Sequence, residues 1–227
     1  MIENIESSQG WLIHQYPIRD HLLLLYILTP ERLLKGFYRL SKKNPYSGRP
    51  HLFSLYWVSW KENKNACNIQ SLEFQDAPLT LKGLKLFMGL YLNELIFHLC
   101  RDDELEPRFY ALYQQLLHDE LDCNELLLRQ FEWQILADCG YAIDFSSTCF
   151  QEKIQQDATY QFHPSSGFYP ANEGILGKHL SMIDAFNWSD DSVYPIVKKI
   201  LRSTIDYVLD GKSLNSRKLL QQWLTNQ

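Results

Sequence analysis

The longest unbroken apolar run in the sequence is LLLLYIL, at residues 22–28. It has the length of a β-strand, whereas crossing a bilayer as a helix takes about 20 residues. Similar segments, rich in aromatic and β-branched residues, lie at 11–13, 36–40, 52–60 and 68–74. Polar, turn-forming stretches separate most of them. Five short strands in about 75 residues predict a small closed barrel, for which an OB-fold is the favoured interpretation and an SH3-like barrel the alternative.

The apolar periodicity becomes helical after residue 77. Apolar residues then recur at i, i+3 and i+4, and they predict helices at 80–99, from Pro107, at 124–136, at 193–209 and at 214–224. Short extended pieces around a turn predict a β-hairpin insertion at about 144–176. The predicted fold class is α+β: an N-terminal five-stranded OB-fold barrel (residues 1–77), followed by an α-helical domain (residues 78–227) that carries the short hairpin insertion.

Charge is distributed unevenly along the 227 residues, whose formal net charge is −5. Residues 1–65 contribute +4, residues 66–160 contribute −10 and residues 161–227 contribute +1. Within the first block, residues 29–64 hold eight basic and two acidic side chains, a local charge of +6. Such asymmetry indicates a module that contacts phosphate, and a solvated loop surface is the alternative.

The basic cluster supplies the candidate nucleic-acid contacts. They are Lys35, Arg39, Lys42, Lys43 and Arg49. Second-choice contacts on the C-terminal helices are Lys198, Lys199, Arg202, Lys212 and Arg217, for which ordinary surface charge is an equal alternative. The same segment holds the aromatic residues Phe37, Tyr38, Tyr46, Phe53, Tyr56, Trp57 and Trp60. About a third of them are expected to be available for base stacking, since only one face of a strand reaches a ligand.

Sequence motifs of catalysis are missing. There is no phosphate-binding G-x-x-x-x-G-K-[ST] or G-x-G-x-x-G, no G-x-S-x-G elbow and no H-E-x-x-H. Five cysteines without a C-x2-C pair indicate thiols in a reducing compartment, not disulfides or zinc ligands. The amino terminus has no signal-peptide pattern. We therefore expect a cytoplasmic, non-enzymatic protein with no cofactor, no metal and no membrane association, although two acidic runs keep a metal-dependent nuclease as a distant alternative.

Short motifs in the helical half occur in a fixed order over roughly residues 80 to 220. They are GLYLNEL at 89–95, LRQFE at 128–132, CGY at 139–141, GF at 167–168 and GKSLNSR at 211–217. In this set the chain resembles the bacterial recombination mediator family RecO. The first half resembles the family in outline, with GWLI at 10–13 and LLYILTPE at 24–31. It departs where Arg32 and Leu33 replace a glycine and where 37–43 reads FYRLSKK.

The resemblance implies a non-enzymatic recombination mediator in DNA repair. Such a protein binds single- and double-stranded DNA through its OB-fold, anneals complementary strands, and with RecR helps to load RecA on DNA coated by single-stranded-DNA-binding protein. Its location would be the cytoplasm, with nucleoid association during repair. Some members carry a four-cysteine zinc site after the third helix, but residues 142–168 offer only Cys149, so a zinc-free member is expected. An OB-fold plus helical adaptor that binds proteins and no DNA is the alternative.

The resemblance also implies that the helical domain binds the acidic C-terminal tail of single-stranded-DNA-binding protein. Arg129 is the candidate cationic contact, with Leu128 and Phe131 as apolar neighbours and Arg108 in reserve. The alternative is that Arg129 pairs with a glutamate of its own helix, either Glu125 or Glu132.

Overall fold

The computed structural model describes residues 5–40, 49–63, 66–100, 105–119 and 124–226. Five strands, β1 (Ile5–Arg19), β2 (Leu22–Leu28), β3 (Leu33–Arg39), β4 (Leu55–Asn63) and β5 (Ala66–Phe74), form a closed barrel in the order β1-β2-β3-β5-β4. All neighbouring strands are antiparallel except β3 and β5, which close the barrel in parallel. The five-stranded barrel of the predicted OB-fold is thereby confirmed, as is the α+β class.

Alternation along the strands places apolar side chains inside the barrel. On β2, Leu23, Leu25 and Ile27 are buried in the core, whereas the intervening Leu24 and Tyr26 are half-buried on the outer surface. Gly36 of β3 lies where a Cβ atom would come within 2.8 Å of Ile69 Cγ1, so the barrel wall has no room for a side chain there. The apolar run at 22–28 is thus a strand with one face in the barrel core and the other on the outer surface.

In the described part of the chain, six helices and a three-stranded sheet come after the barrel strands in the sequence. They are α1 (Gly83–Leu99), α2 (Pro107–His118), α3 (Glu125–Asp138), β6 (Thr159–His163), β7 (Gly167–Pro170), β8 (Ile175–Leu176), α4 (Gly177–Asp184), α5 (Tyr194–Val208) and α6 (Asn215–Thr225). Asn124 caps α3 by accepting the Leu127 N–H at 3.1 Å, and Gly140 follows that helix at φ +83°. The predicted hairpin is β6–β7, and β8 adds a third strand in the order β7-β6-β8. Helix α4 had no counterpart in the sequence prediction, and α1 begins at Gly83 instead of residue 80.

The chain divides into two compact units. Unit 1 comprises residues 1–123 together with 214–227, and unit 2 comprises residues 124–213. The domain boundary predicted after residue 77 lies within unit 1, between β5 and α1, and remains a prediction about domain division. No helix in the described part of the chain combines the length and the apolar character needed to cross a membrane.

Candidate nucleic-acid interface

Aromatic and basic side chains cross the outer surface of β1, β2 and β3 in register. One row pairs His14, Tyr26 and Lys35, and the next pairs Tyr16, Leu24 and Phe37. Since residues two apart on a strand face the same side, Arg39 follows Lys35 and Phe37 on this surface. We call the surface formed by Tyr16, Leu24, Tyr26, Lys35, Phe37 and Arg39 the β1–β3 face.

Tyr26 is held at the centre of the β1–β3 face by its neighbours. Its ring lies 5.9 Å from His14 and 5.0 Å from Phe97 of α1, both in edge-on arrangements. The Lys35 Nζ lies 5.6 Å from the Tyr26 ring centroid, within cation–π range. Lys35 and Arg39 are exposed, and so is Tyr16, with 58% of its surface accessible. Two cations and an accessible aromatic ring are therefore presented to solvent on one side of the barrel.

A groove of about 550 Å³ adjoins the β1–β3 face along β3. Its lining includes Leu24, Lys35 and Phe37 together with residues 62–63 at the end of β4 and 66–67 at the start of β5. Arg32, also in the lining, forms an ion pair with Glu62 and stacks 5.8 Å from the Trp60 ring centroid. The Arg32 charge is thus balanced within the barrel, whereas the exposed Lys35 and Arg39 carry the positive charge of the face.

The structure distributes the aromatic residues of the barrel as strand alternation requires. Phe53, Tyr56 and Trp60 are buried, Phe37 and Tyr38 are half-buried, and Trp57 is 42% exposed on the outside of β4. Tyr46 falls outside the described residues, as do the predicted contacts Lys42 and Lys43. Arg49 is exposed ahead of β4. Sequence reasoning missed Tyr16 and Tyr26, although the inward pattern of Leu23, Leu25 and Ile27 could have placed Tyr26 on the outer surface.

Two of the second-choice basic residues have partners within their own unit. Lys198 lies 3.1 Å from Glu125 Oε2 and 5.6 Å from the Tyr194 ring centroid. Arg217 stacks 5.4 Å from the Tyr91 ring centroid and donates to its hydroxyl at 3.3 Å. Lys199, Arg202 and Lys212 are exposed. A DNA contact by any of these five residues remains a prediction.

Arg129 lies inside unit 2. Only 7% of the residue is accessible, and its Nη1 lies 2.7 Å from Glu132 Oε2, which is itself buried. Leu128 and Phe131 are also buried, whereas Arg108 is exposed at the start of α2. The pairing of Arg129 with a glutamate of its own helix is therefore present in the structure. Tail binding through Arg129 or Arg108 remains a prediction.

The motifs GLYLNEL and GKSLNSR meet in unit 1. The Glu94 carboxylate accepts the backbone N–H of Asn215 at 2.7 Å and of Ser216 at 2.9 Å, and the Ser216 hydroxyl at 2.6 Å. No side chain at the Leu214 N-cap position caps α6, so Glu94 of α1 supplies the cap and places a negative charge at the helix N-terminus. The contact between Tyr91 and Arg217 lies one turn away. These motif residues attach α6 to α1.

Asn93, in the same motif, attaches α1 to the barrel. Its Nδ2 donates to the Ile13 carbonyl at 3.0 Å, and its Oδ1 accepts the Tyr113 hydroxyl of α2 at 2.7 Å. The register of β1 against β2 shifts between Leu12 and His14, so Ile13 has no partner in that ladder. The Asn93 amide therefore donates a hydrogen bond to the carbonyl of the residue at the register shift.

Among the described residues, no three His, Cys, Asp or Glu side chains are grouped so as to hold a metal ion. In the hairpin region, the Cys149 N–H donates to the Phe168 carbonyl at 2.8 Å, and Phe145, Tyr160 and Phe168 are buried. Aromatic packing thus accounts for the order of this region, and the absence of zinc remains a prediction.

Comparison with known proteins identifies the family. The family model described as Recombination protein O C terminal matches residues 81–218. DNA repair protein RecO of Legionella pneumophila (strain Corby) is 32% identical over 226 residues, covering 94% of this chain and 97% of that protein. DNA repair protein RecO of Coxiella burnetii (strain RSA 493) is 28% identical over 235 residues, covering 97% of this chain and all of that protein. The similarity spans the barrel as well as the helical half, and the chain therefore belongs to the RecO family of DNA repair proteins.

Proposed function

We propose that this chain is a non-enzymatic recombination mediator that binds single- and double-stranded DNA and anneals complementary strands. Together with RecR, it would help to load RecA on DNA coated by single-stranded-DNA-binding protein, in the cytoplasm and in association with the nucleoid. Membership of the RecO family supports a role in DNA repair and recombination. The observation that carries the DNA-binding part is the β1–β3 face, where the exposed cations Lys35 and Arg39 share one surface with the exposed ring of Tyr16.

The chemistry of the β1–β3 face suits a single strand. Lys35 and Arg39 can neutralise successive phosphates, which supplies affinity without sequence preference. Tyr16 is accessible for stacking on a base, and stacking is sequence-tolerant because every base has a π-face. Annealing needs neutralised phosphates and bases that are held reversibly, so no general base or nucleophile is required.

Salt-dependent binding tests this proposal. Fluorescence anisotropy with a labelled oligo(dT) is measured across a salt series for the full chain and for Lys35→Ala/Arg39→Ala. Each lost phosphate contact should flatten the log–log salt slope by about 0.7, hence by about 1.4 for the double variant. Lys82→Ala, an exposed lysine away from the β1–β3 face, is the charge-matched control. An unchanged slope and affinity in the double variant would favour the adaptor that binds proteins only.

Stacking is tested separately from charge. Tyr16→Ala should weaken binding by about 1 to 3 kcal/mol, whereas Tyr16→Phe should retain it because the phenyl ring still stacks. The side chain is largely exposed, so neither variant should change the thermal midpoint. Equal affinities of Tyr16→Ala and the unmodified chain would remove Tyr16 from the interface.

Binding of the acidic tail of single-stranded-DNA-binding protein is part of the same proposal. In the structure, the Arg129 guanidinium forms an ion pair with Glu132. A tail carboxylate that binds Arg129 would therefore have to displace the Glu132 carboxylate. Arg108 is exposed and needs no such exchange. A fluorescent tail peptide titrated against Arg129→Ala and Arg108→Ala identifies the anchor by a loss of more than about tenfold in affinity. A loss under about twofold for both variants would reject both arginines.

A further inference from the structure

Three aromatic side chains form a partly exposed cluster in unit 2. The rings of Phe186 and Trp188 stack with centroids 5.4 Å apart and planes 23° apart. Trp133 of α3 meets Phe186 edge-on at 5.2 Å and Trp188 at 6.2 Å. Trp188 is buried and its Nε1 donates to the Ile183 carbonyl at 2.9 Å, whereas Phe186 is 56% exposed. A rigid aromatic base thus holds one ring out towards solvent.

The backbone at Phe186 is strained for a residue with a side chain. Phe186 follows the C-cap residue of α4 at φ +59°, in the left-handed region where helices usually place glycine. A left-handed backbone is unfavourable for a bulky aromatic residue, and more than half of the Phe186 surface stays exposed. Strain combined with an exposed apolar side chain points to a role in contact with another molecule.

A cavity continues the apolar surface beside Trp188. It has a volume of about 340 Å³, and its apolar lining comes from Leu126, Trp188, Tyr194 and Pro195. Leu126 and Trp133 lie seven residues apart on α3, hence on the same side of the helix. The cavity is large enough for one aromatic or aliphatic side chain. We call the strip formed by Leu126, Trp133, Phe186, Trp188 and Pro195 the unit 2 groove.

The rim of the unit 2 groove is acidic. Asp184, Asp190 and Asp191 are exposed in the segment that carries Phe186 and Trp188, and residues 184–193 contain no Lys or Arg. Hydrogen bonds from Ser192 hold the pKa of Asp190 below its usual value. On the opposite wall, the pKa of Glu125 is lowered chiefly by the hydrogen bond from the Tyr194 hydroxyl. Lys198 pairs with that same Glu125, so the aspartates are left to set the charge of the rim.

We propose that the unit 2 groove docks a basic segment of a partner protein. One apolar side chain of the segment, best an aromatic one, enters the cavity beside Trp188 and contacts Phe186. Lysine or arginine residues on either side pair with Asp190 and Asp191. The charge of the rim repels DNA phosphates and acidic peptides, so the proposed occupant differs in chemistry from DNA and from the acidic tail, although Lys198 and Arg129 lie near Glu125 of the cavity.

Three designed peptides test the chemistry of the occupant. Anisotropy of fluorescein-labelled GKRFKRG is measured with the full chain, next to GKRAKRG and the charge-reversed GEDFDEG. GKRFKRG should bind saturably, with an affinity that falls as the salt concentration rises. GKRAKRG should bind about tenfold more weakly, and GEDFDEG should not bind. The alanine peptide also measures non-specific attraction to acidic residues elsewhere in the chain. Equal binding of GKRFKRG and GKRAKRG, or no saturable binding of GKRFKRG up to about 1 mM, would overturn the proposal.

Variants of the chain locate the site. Phe186→Gly removes the ring but relieves the left-handed backbone, which offsets part of the lost packing, so this variant should keep its fold and yet bind GKRFKRG about tenfold more weakly. Asp190→Asn/Asp191→Asn should lower the affinity and its salt dependence together. Phe150→Ala, which removes another exposed aromatic ring of unit 2, is the control and should bind normally. Unchanged binding by Phe186→Gly would overturn the proposal, as would self-association of the chain that Phe186→Gly abolishes, because a second copy would then be the occupant.

Discussion

Replacing Asn93 by alanine should destabilise unit 1 by about 3 kcal/mol or more. The residue is buried and its amide serves two partners, the Ile13 carbonyl at 3.0 Å and the Tyr113 hydroxyl at 2.7 Å. Alanine leaves both groups without this partner, and each buried polar group that loses its hydrogen bond costs about 1 to 3 kcal/mol. The volume vacated by the amide adds a smaller loss of packing.

A double-mutant cycle separates the two hydrogen bonds. Tyr113→Phe removes only the hydroxyl, and we expect a loss of about 1 to 2 kcal/mol because Asn93 keeps its bond to Ile13. Burial raises the pKa of Tyr113 well above its ordinary value, so the hydroxyl stays protonated and able to donate. The loss in Asn93→Ala/Tyr113→Phe should fall short of the sum of the single losses by about 1 kcal/mol.

The assay has to report on unit 1 itself, since a chain with two compact units need not unfold in one step. Hydrogen exchange of the β1 and α2 amides, measured beside urea unfolding, meets this need. Tyr207→Phe, in unit 2 and largely exposed, is the control and should stay within about 0.5 kcal/mol. A loss below about 1 kcal/mol in Asn93→Ala, or strict additivity in the cycle, would refute the assignment of Asn93 as the link between bulge and helix.

Three further predictions concern single contacts. Glu94→Gln should lower the hydrogen-exchange protection of α6 by about 1 to 2 kcal/mol, because the negative charge that faces the N–H groups of Asn215 and Ser216 is lost. Unchanged protection would show that α6 is held by packing alone. The pKa of His14 is lowered, chiefly by burial and also by the nearby His98. The imidazole of His14 therefore binds a proton less readily in the folded state than in the unfolded state. Stability should therefore decline as the pH falls below the ordinary histidine value of about 6.5, and urea titrations at several pH values should show a shallower decline in His14→Gln. Gly177→Ala should cost unit 2 more than about 2 kcal/mol in thermal unfolding, since the new Cβ would lie 2.0 Å from the Gln155 carbonyl oxygen, whereas a normal midpoint would mean that this backbone yields easily.

The elements predicted correctly are those whose pattern is local. The apolar run at 22–28 coincides with β2, and Pro107 begins α2. Helix α4 was missed because it is only eight residues long and its buried residues, Gly177, Leu180 and Ile183, include just two apolar side chains long enough to give a periodic signal.

The candidate site was predictable only in part, for a physical reason. Lys35 and Arg39 stand out because charge is visible in sequence. The position of Tyr16 on the same face depends on the register shift of β1 at Ile13, and nothing in a two-residue period reveals a bulge. The burial of Arg129 depends on the tertiary packing around α3, and the sequence of that helix alone does not reveal this packing.

The attachment of α6 to α1 bears on how the chain is made. The 90 residues of unit 2 are synthesised between the two parts of unit 1, and at about 5 to 20 residues per second the ribosome needs several seconds for them. During that interval α6 has not yet been synthesised, so Glu94 lacks the N–H groups that it accepts in the folded chain. Phe87 likewise lacks Trp223, whose ring centroid lies 5.4 Å from that of Phe87 in the structure. A nascent chain interrupted before residue 214 would lack α6, so Glu94 and Phe87 of α1 would be without the partners that they have in the folded unit 1.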